Sequence, residues 1–212
     1  MNDREAEIRA AIKTLRPLKS LPFETVIMAL CDVAVLPFDT DEDAAKGHLD
    51  LIKQACQIAA ERVIANPIKR PRPNEVGNDM EAFVISGLHA VGLSAATPQT
   101  RQGGGRATGY PDILVDAVPS PIYLEVKTYA RETHKTSMRA FYLSPSDNPK
   151  VTCDAHHLLV GFEMHRDGDL FTPTGFELVD LYGMECDLKA EFNSSNARIY
   201  GSHRKLFSSR LS

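Results

Sequence analysis

"GYPDILVDAVPSPIYLEVKTY" occupies residues 109–129 and contains two apolar runs separated by a proline-rich turn. This pattern predicts a β-hairpin. Asp112 begins the first predicted strand, and Glu125 and Lys127 lie on the second. Because residues two apart in a strand share a face, Glu125 and Lys127 are expected on one face of the sheet and Leu124 and Val126 on the other. The hairpin therefore brings two carboxylates and an ammonium group to one sheet edge.

Charged side chains on strands that are otherwise apolar need a chemical explanation, because an unpaired buried charge is costly. A simple ion pair would not require both Asp112 and Glu125 beside the single Lys127. A divalent cation accounts for both acids, since Mg²⁺ prefers oxygen ligands, and the backbone carbonyl of Val126 could add another. Lys127 would then orient or help to deprotonate an attacking water, or neutralise charge that develops on a phosphorus centre.

Pro111-Asp112 followed by Glu125-Val126-Lys127 resembles the motif of the PD-(D/E)xK nuclease superfamily. The resemblance covers roughly residues 78–165 and is carried by the placement of the motif on two predicted strands that follow a helix. It implies an α/β fold, with a restriction-endonuclease-like core in which helices flank a mixed central sheet. It also implies that Asp112 and Glu125 bind Mg²⁺, that Lys127 is the catalytic lysine, and that phosphodiesters are hydrolysed to 5'-phosphate and 3'-hydroxyl ends. Mn²⁺ is expected to substitute for Mg²⁺, and Ca²⁺ to bind without turnover.

Many superfamily members carry a further acid on the helix before these strands, and Glu81 is the candidate here, with Glu75 as a substitute. A structural role for Glu81 is also open. Asn78-Asp79-Met80-Glu81 fits a capping box in which Asn78 is the N-cap and Glu81 bonds back to its amide.

The order of predicted elements supports an α/β fold with an N-terminal helical region. Helices are predicted over residues 3–15, from Pro22 to about Val35, and through the long amphipathic segment 39–66. The proline-rich segment NPIKRPRPNEVG marks a boundary, which divides the chain into a helical region 1–70, for dimerisation or DNA contact, and a nuclease core 71–212.

Within the predicted core, NDMEAFVISGLHAVGL reads as an amphipathic helix that ends at Gly92. Strands are predicted at LSAAT, HHLLVGFEM and FELVDLYGM, and a short helix is predicted around CDLKAEF. One helix, three strands, a long connection and further strands predict a mixed sheet covered by helices.

Composition restricts the class of protein. The 212 residues are 43% hydrophobic and 25% charged, with no apolar run long enough to span a membrane and a charged N-terminus, so a cytoplasmic protein is expected. Four scattered cysteines indicate neither a zinc site nor a disulfide framework. The His156-His157 pair lacks a third ligand at a suitable spacing, so we expect one packed histidine and one solvated or DNA-facing histidine.

The net charge of −4 conceals a segregated charge distribution. Residues 97–110 and 193–212 contain basic side chains and no acids, whereas residues 163–191 carry eight carboxylates. This segregation permits a basic DNA-binding groove on an acidic protein. Candidate DNA-contacting residues, including those of a glycine-rich loop, are Arg101, Gln102, Arg106, Tyr129, Arg131, His134, Lys135 and Arg139, with Lys150 as a further phosphate contact.

Three functions are compatible with the sequence. The first is a Mg²⁺-dependent, sequence-specific endonuclease of a restriction-modification system, a homodimer that cleaves double-stranded DNA at two-fold symmetric sites. The second is a structure-selective repair or junction-resolving nuclease, and the third is a catalytically silent DNA-binding protein. The acidity and length of the chain favour the first over the second, and the complete set of Asp112, Glu125 and Lys127 disfavours the third.

Overall fold

The structure is a computed structural model that describes residues 3–15, 18–105, 109–134, 136, 141–189, 194, 195 and 198. The chain forms two compact units. One unit is Pro22–Glu185, and the other combines Met1–Leu21 with Cys186–Ser212. In the smaller unit the two chain segments are joined by hydrogen bonds, from the Ser20 amide to Asp187 Oδ1 at 3.0 Å and from the Leu188 amide to the Leu18 carbonyl at 3.1 Å.

Four α-helices and nine strands are present in the described residues. The helices are α1 Asp3–Leu15, α2 Phe23–Cys31, α3 Asp43–Ala65 and α4 Val76–Ala90. The strands are β1 Leu21–Pro22, β2 Val35–Leu36, β3 Ile68–Lys69, β4 Ser94–Ala96, β5 Ile113–Asp116, β6 Ile122–Tyr129, β7 Ala155–Asp167, β8 Leu170–Asp180 and β9 Glu185–Cys186.

The central sheet of the larger unit has seven strands and is mixed. Six strands follow the order β3-β8-β7-β6-β5-β4, and β2 pairs with the beginning of β7. The β6–β7 and β2–β7 pairs are parallel, and the other neighbours are antiparallel. This is the restriction-endonuclease-like α/β arrangement that the sequence predicts.

One face of the sheet packs on α3 and α4 and forms the main hydrophobic core. Ile52, Cys56, Ala59 and Val63 repeat along α3 at helical spacing and are fully buried. Residues of α4 and of alternate sheet positions join the same cluster, including Met80, Val84, Leu88, Leu124, Val126, Leu158 and Val160. The opposite sheet face is then left for Glu125 and Lys127, because side chains alternate along a strand.

Most predicted elements are confirmed, and two are corrected. The helix after Pro22 ends at Cys31, earlier than predicted, because Asp32 adopts the left-handed conformation that closes α2. Val35 then joins β2. No helix is present at Cys186–Lys189, where β9 is followed by irregular chain, and residues 190–193 lie outside the described part. Whether residues 1–70 act as a distinct functional region stays a prediction.

None of the helices in the described residues combines the length and apolarity that crossing a lipid bilayer demands.

The helices α3 and α4 approach each other closely at Gly87. A Cβ atom at this position would overlap the carbonyl oxygen of Ala55 and lie 3.0 Å from its carbonyl carbon. The obstacle is rigid helix backbone, so a side chain at residue 87 would have to push the two helices apart. Gly47, on the exposed side of α3, has open space around it.

We therefore predict opposite effects for two identical substitutions. Gly87→Ala should lower the free energy of unfolding by about 1–3 kcal/mol, the usual cost of overpacking. Gly47→Ala should raise it by about 0.5–1 kcal/mol, because alanine restricts the unfolded chain and favours helix. Chemical denaturation of both variants measures the difference. Equal stability of the two variants would contradict the close crossing.

A cluster of rings packs on the other sheet face and encloses His157. The His157 ring lies 5.6 Å from Phe23 and 5.0 Å from Tyr123, between ring centroids, and its Nδ1 is 2.6 Å from the Tyr110 hydroxyl. Burial, with a smaller contribution from His156, lowers the pKa of His157 to about 3. His157 is therefore the packed histidine of the pair. His156 is half-buried, and its Nδ1 lies 3.3 Å from the Leu36 carbonyl.

This burial predicts acid sensitivity. An unfolded histidine takes up a proton near pH 6.5, whereas folded His157 stays neutral to about pH 3. Between these pH values the unfolded state binds one more proton than the folded state, so His157 lowers the free energy of unfolding as pH falls from about 6.5 towards 3, with a slope of up to about 1.4 kcal/mol per pH unit. His157→Gln should remove this component of the slope in denaturation curves recorded between pH 6.5 and 4. A slope unchanged from the wild type would contradict it.

Candidate active site

The predicted site lies at the start of β5 and the middle of β6, on the sheet face opposite the main core. Asp112 immediately precedes β5, and its Oδ2 accepts a hydrogen bond of 2.9 Å from the Val126 amide. Lys127 Nζ lies 3.9 Å from the same Asp112 oxygen and forms a close ion pair with Glu125 Oε1. The three side chains that the motif predicts are thus brought together.

Burial is uneven across this cluster. Glu125 is 3% exposed, whereas the Lys127 side chain is 30% exposed and reaches towards solvent. Burial, followed by the negative charge of Asp112, raises the pKa of Glu125, and Lys127 opposes this shift. Among the described residues nothing pairs with the buried Glu125 Oε2. A buried carboxylate oxygen without a partner is costly and is suited to a cation.

Glu81 on α4 belongs to the same electrostatic cluster. Burial, Asp112 and Glu125 raise the pKa of Glu81 to about 7, and Lys127 and Lys150 act in the opposite direction. The alternative capping-box role is wrong, because α4 begins at Val76 and Asn78 lies inside the helix. The remaining candidate, Glu75, is the N-cap residue and makes no side-chain capping bond.

The donor set fits a hard divalent cation. Asp112 and Glu125 offer carboxylate oxygens, and the Val126 carbonyl lies 3.4 Å from Lys127 Nζ, at the same place. The described part of the chain contains no group of three or more His, Cys, Asp or Glu side chains arranged to hold a metal ion. A cation here would therefore rely on two carboxylates, a carbonyl and ligands from water or substrate, which is the pattern that Mg²⁺ adopts.

Three of the predicted DNA-contacting residues lie together beyond Lys127. The Tyr129 and His134 rings contact each other, with centroids 4.8 Å apart and ring planes tilted by 32°. Arg131 Nε is 3.5 Å from Glu163 Oε1, and His134 Nε2 is 3.0 Å from Glu177 Oε2. Carboxylates of the acidic stretch 163–191 therefore contact the basic segment that follows β6.

The glycine-rich loop is anchored rather than open. Gln99 and Gly105 form a bridge across it, and the Arg101 guanidinium donates to the Cys31 carbonyl. The backbone amide of Gln102 donates to Asn148 Oδ1 at 3.0 Å. The other predicted contacts, Arg106, Lys135 and Arg139, lie outside the described residues.

Lys150 differs from its predicted position as a phosphate contact. It is only 4% exposed, and its Nζ donates to the Gly109 carbonyl at 2.6 Å and to the Pro111 carbonyl at 2.8 Å. Because these bonds turn the ammonium inwards, the phosphate contact predicted for Lys150 is wrong. The sequence alone carried no signal of this role, because Lys150 is 38 residues from Asp112 and lies in a polar, proline-containing segment.

Comparison with known proteins agrees with this geometry. The model of the type II restriction enzyme MjaV family matches residues 17–203. A curated protein of Methanocaldococcus jannaschii, named type II restriction enzyme MjaV, is 32% identical over 202 residues, which cover 88% of this chain and 87% of that protein. Both similarities span the candidate site and most of the elements around it.

Proposed function

The chain belongs to the MjaV family of type II restriction enzymes, and we propose that it is a Mg²⁺-dependent endonuclease that cleaves both strands of a specific DNA sequence. Type II restriction enzymes are site-specific deoxyribonucleases, so DNA is the substrate class. We further propose that hydrolysis leaves 5'-phosphate and 3'-hydroxyl ends. The family favours this function over the repair nuclease and the silent DNA-binding protein considered from the sequence.

One observation carries the assignment of the site. Asp112, Glu125 and Lys127 meet on one sheet face, with Lys127 Nζ in contact with Glu125 Oε1 and 3.9 Å from Asp112 Oδ2. The unpaired, buried Glu125 Oε2 adds an anionic oxygen that a cation would satisfy. Asp112, Glu125 and the Val126 carbonyl are the proposed ligands, and Glu81 is the proposed additional acid.

The chain's own groups would act on a phosphodiester as follows. Lys127 is the most exposed member of the cluster, so its ammonium can approach the scissile phosphate, orient a water and offset the negative charge that grows in the transition state. The Val126 amide holds Asp112 in one orientation. Glu81, which lies within the electrostatic field of Asp112 and Glu125, would be a further acid of the site.

When bound, Mg²⁺ would polarise the phosphoryl oxygens and lower the pKa of a bound water. Arg101, Gln102, Arg106, Tyr129, Arg131, His134, Lys135 and Arg139 remain the proposed DNA contacts. Arg131 and His134 would have to exchange Glu163 and Glu177 for phosphate to serve in this way.

A homodimer is also proposed. The described residues of each chain hold one cluster of this kind, and cleavage of both strands at a two-fold symmetric sequence is most simply achieved by two identical subunits. Sedimentation of the free protein and of its DNA complex measures the subunit number. A single subunit per cleaved duplex would contradict the homodimer.

We predict that Asp112→Asn and Lys127→Ala abolish cleavage while the fold and DNA binding persist. Each variant removes one charge that stabilises the reaction, so the rate should fall by at least about 10²–10³-fold. The assay is digestion of unmethylated phage DNA in Mg²⁺, where the wild type should give discrete bands whose sequenced ends identify the site and the terminal phosphate.

Matched controls separate chemistry from general disturbance. Asp116→Asn alters an exposed acid at the other end of β5, and Lys53→Ala alters a lysine in a surface pair with Asp50. Both controls should cut at the wild-type rate. Near-normal cleavage by Asp112→Asn or Lys127→Ala would show that the site assignment is wrong.

We also predict that Ca²⁺ supports binding without turnover. Ca²⁺ accepts more ligands at longer distances than Mg²⁺, so it can occupy oxygen ligands without creating the compact geometry that hydrolysis needs. Gel-shift titration with a duplex containing the mapped site, in Ca²⁺ and in Mg²⁺, tests this. Efficient cleavage in Ca²⁺ alone would contradict the prediction.

A further inference from the structure

Lys150 is a buried cation beside the candidate site. Burial of an ammonium group is costly unless its protons are taken up by good acceptors. Its Nζ donates to the Gly109 carbonyl at 2.6 Å and to the Pro111 carbonyl at 2.8 Å. These acceptors lie two residues apart on the chain segment that leads directly into Asp112.

The Pro111 carbonyl belongs to the peptide group that joins Pro111 to Asp112. A bond to this oxygen fixes the plane of that peptide, and a second bond to the Gly109 carbonyl fixes the peptide before Tyr110. The backbone orientation from which the Asp112 side chain starts is therefore set by Lys150. The carboxylate at the other end of this side chain is held separately, by the Val126 amide at 2.9 Å.

We propose that Lys150 is a positioning residue for the reaction, holding the Gly109–Pro111 backbone so that Asp112 presents its carboxylate towards Glu125 and Lys127. The inference rests on the proposed role of Asp112 as a metal ligand. Groups that orient such ligands commonly affect metal affinity and activity by about 10–100-fold.

Direct contact of Lys150 with a DNA phosphate does not fit the same observations. The side chain is 4% exposed, and two of its three N–H groups point to the carbonyl oxygens of Gly109 and Pro111. Phosphate binding would need the ammonium to abandon both oxygens, and the buried bond to the Pro111 carbonyl would be lost.

The segment around Lys150 is in turn tied to the glycine-rich loop. The Arg101 amide donates to the Pro149 carbonyl at 3.0 Å, and the Gln102 amide donates to Asn148 Oδ1 at 3.0 Å. Arg101 and Gln102, which are adjacent in this loop, are therefore connected through Asn148–Lys150 to the backbone that leads into Asp112. Lys150 joins a proposed DNA-contacting loop to a proposed catalytic carboxylate.

The test is Lys150→Met, which keeps the length of an unbranched chain and removes the donors. The first readout is Mn²⁺ affinity, measured by electron paramagnetic resonance on the full-length enzyme bound to a duplex with a non-hydrolysable phosphate analogue at the mapped cleavage site. We expect the Mn²⁺ dissociation constant to rise about 10–100-fold. The second readout is steady-state cleavage, where kcat should fall while KM for DNA changes by less than about three-fold, because substrate binding is spared.

A double-mutant cycle links the effect to Asp112. If Lys150 acts through Asp112, Lys150→Met in an Asp112→Asn background should change Mn²⁺ affinity by less than about two-fold. A full effect in that background would overturn the proposal. If Asp112→Asn neither weakens Mn²⁺ binding nor slows cleavage, the proposed role of Asp112 is wrong. That outcome differs from a failure of the Lys150 proposal alone, in which Asp112→Asn has its predicted effect and Lys150→Met does not.

Lys53→Met on α3 is the matched control and should leave both readouts unchanged. Wild-type Mn²⁺ affinity and kcat in Lys150→Met would overturn the proposal, as would weaker duplex binding with unchanged Mn²⁺ affinity, which indicates a phosphate contact. If Lys150→Met shows no cooperative unfolding transition, Lys150→Gln takes its place in both measurements. The shorter glutamine side chain cannot span both carbonyls as the lysine does, so the same results would support or overturn the proposal.

Discussion

The carboxylate of Glu125 is buried in the middle of β6, where it lies beside Lys127 and within the field of Asp112. A negative charge in this position is tolerated only if positive charge or hydrogen-bond donors are held close to it. Its ion pair with Lys127 satisfies one oxygen, and no described residue satisfies the other. Burial of this charge does not itself stabilise the fold. The stability that keeps β6 in place comes from the main core, which α3, α4 and the opposite sheet face form. One face of β6 therefore packs in the hydrophobic core, and the other carries the side chains of the candidate site.

The residues around Glu125 are also held in place by hydrogen bonds. The Val126 amide holds the Asp112 carboxylate, and Lys150 holds the backbone that carries Asp112. The Asn148–Lys150 segment also binds the glycine-rich loop, so a proposed DNA-contacting element and the carboxylate share a support. Beyond Lys127, Glu163 and Glu177 engage Arg131 and His134. Basic groups near the site are therefore balanced by fixed carboxylates, and DNA would compete with them for the same cations. Such competition makes binding sensitive to the number of phosphates engaged and to salt.

Several elements were predictable because their signals are local. The hairpin of β5 and β6 follows from two apolar runs around a proline-containing turn, and the helical spacing of Ile52, Cys56, Ala59 and Val63 marks the buried side of α3. Gly92 adopts a positive φ directly after α4, as expected for a helix that ends there. The early end of α2 was not predictable in the same way, because it depends on Asp32 adopting a left-handed conformation and on Val35 finding a partner in distant β7. Strands of two residues carry too little periodicity to be recognised without their partners.

The sequence by itself determined the pairing of β5 with β6, the shared face of Glu125 and Lys127, and the resemblance to a nuclease motif, since all of these depend on residues close together in the chain. Only the tertiary structure decided that α4 begins at Val76 and so leaves Asn78 inside the helix, and that Lys150 turns inwards to the carbonyls around Pro111. The carboxylate partners of Arg131 and His134 also became known only from the fold. The physical reason is that the direction of a long charged side chain is set by acceptors brought near it by folding, and these acceptors leave no periodic trace in the sequence around the residue.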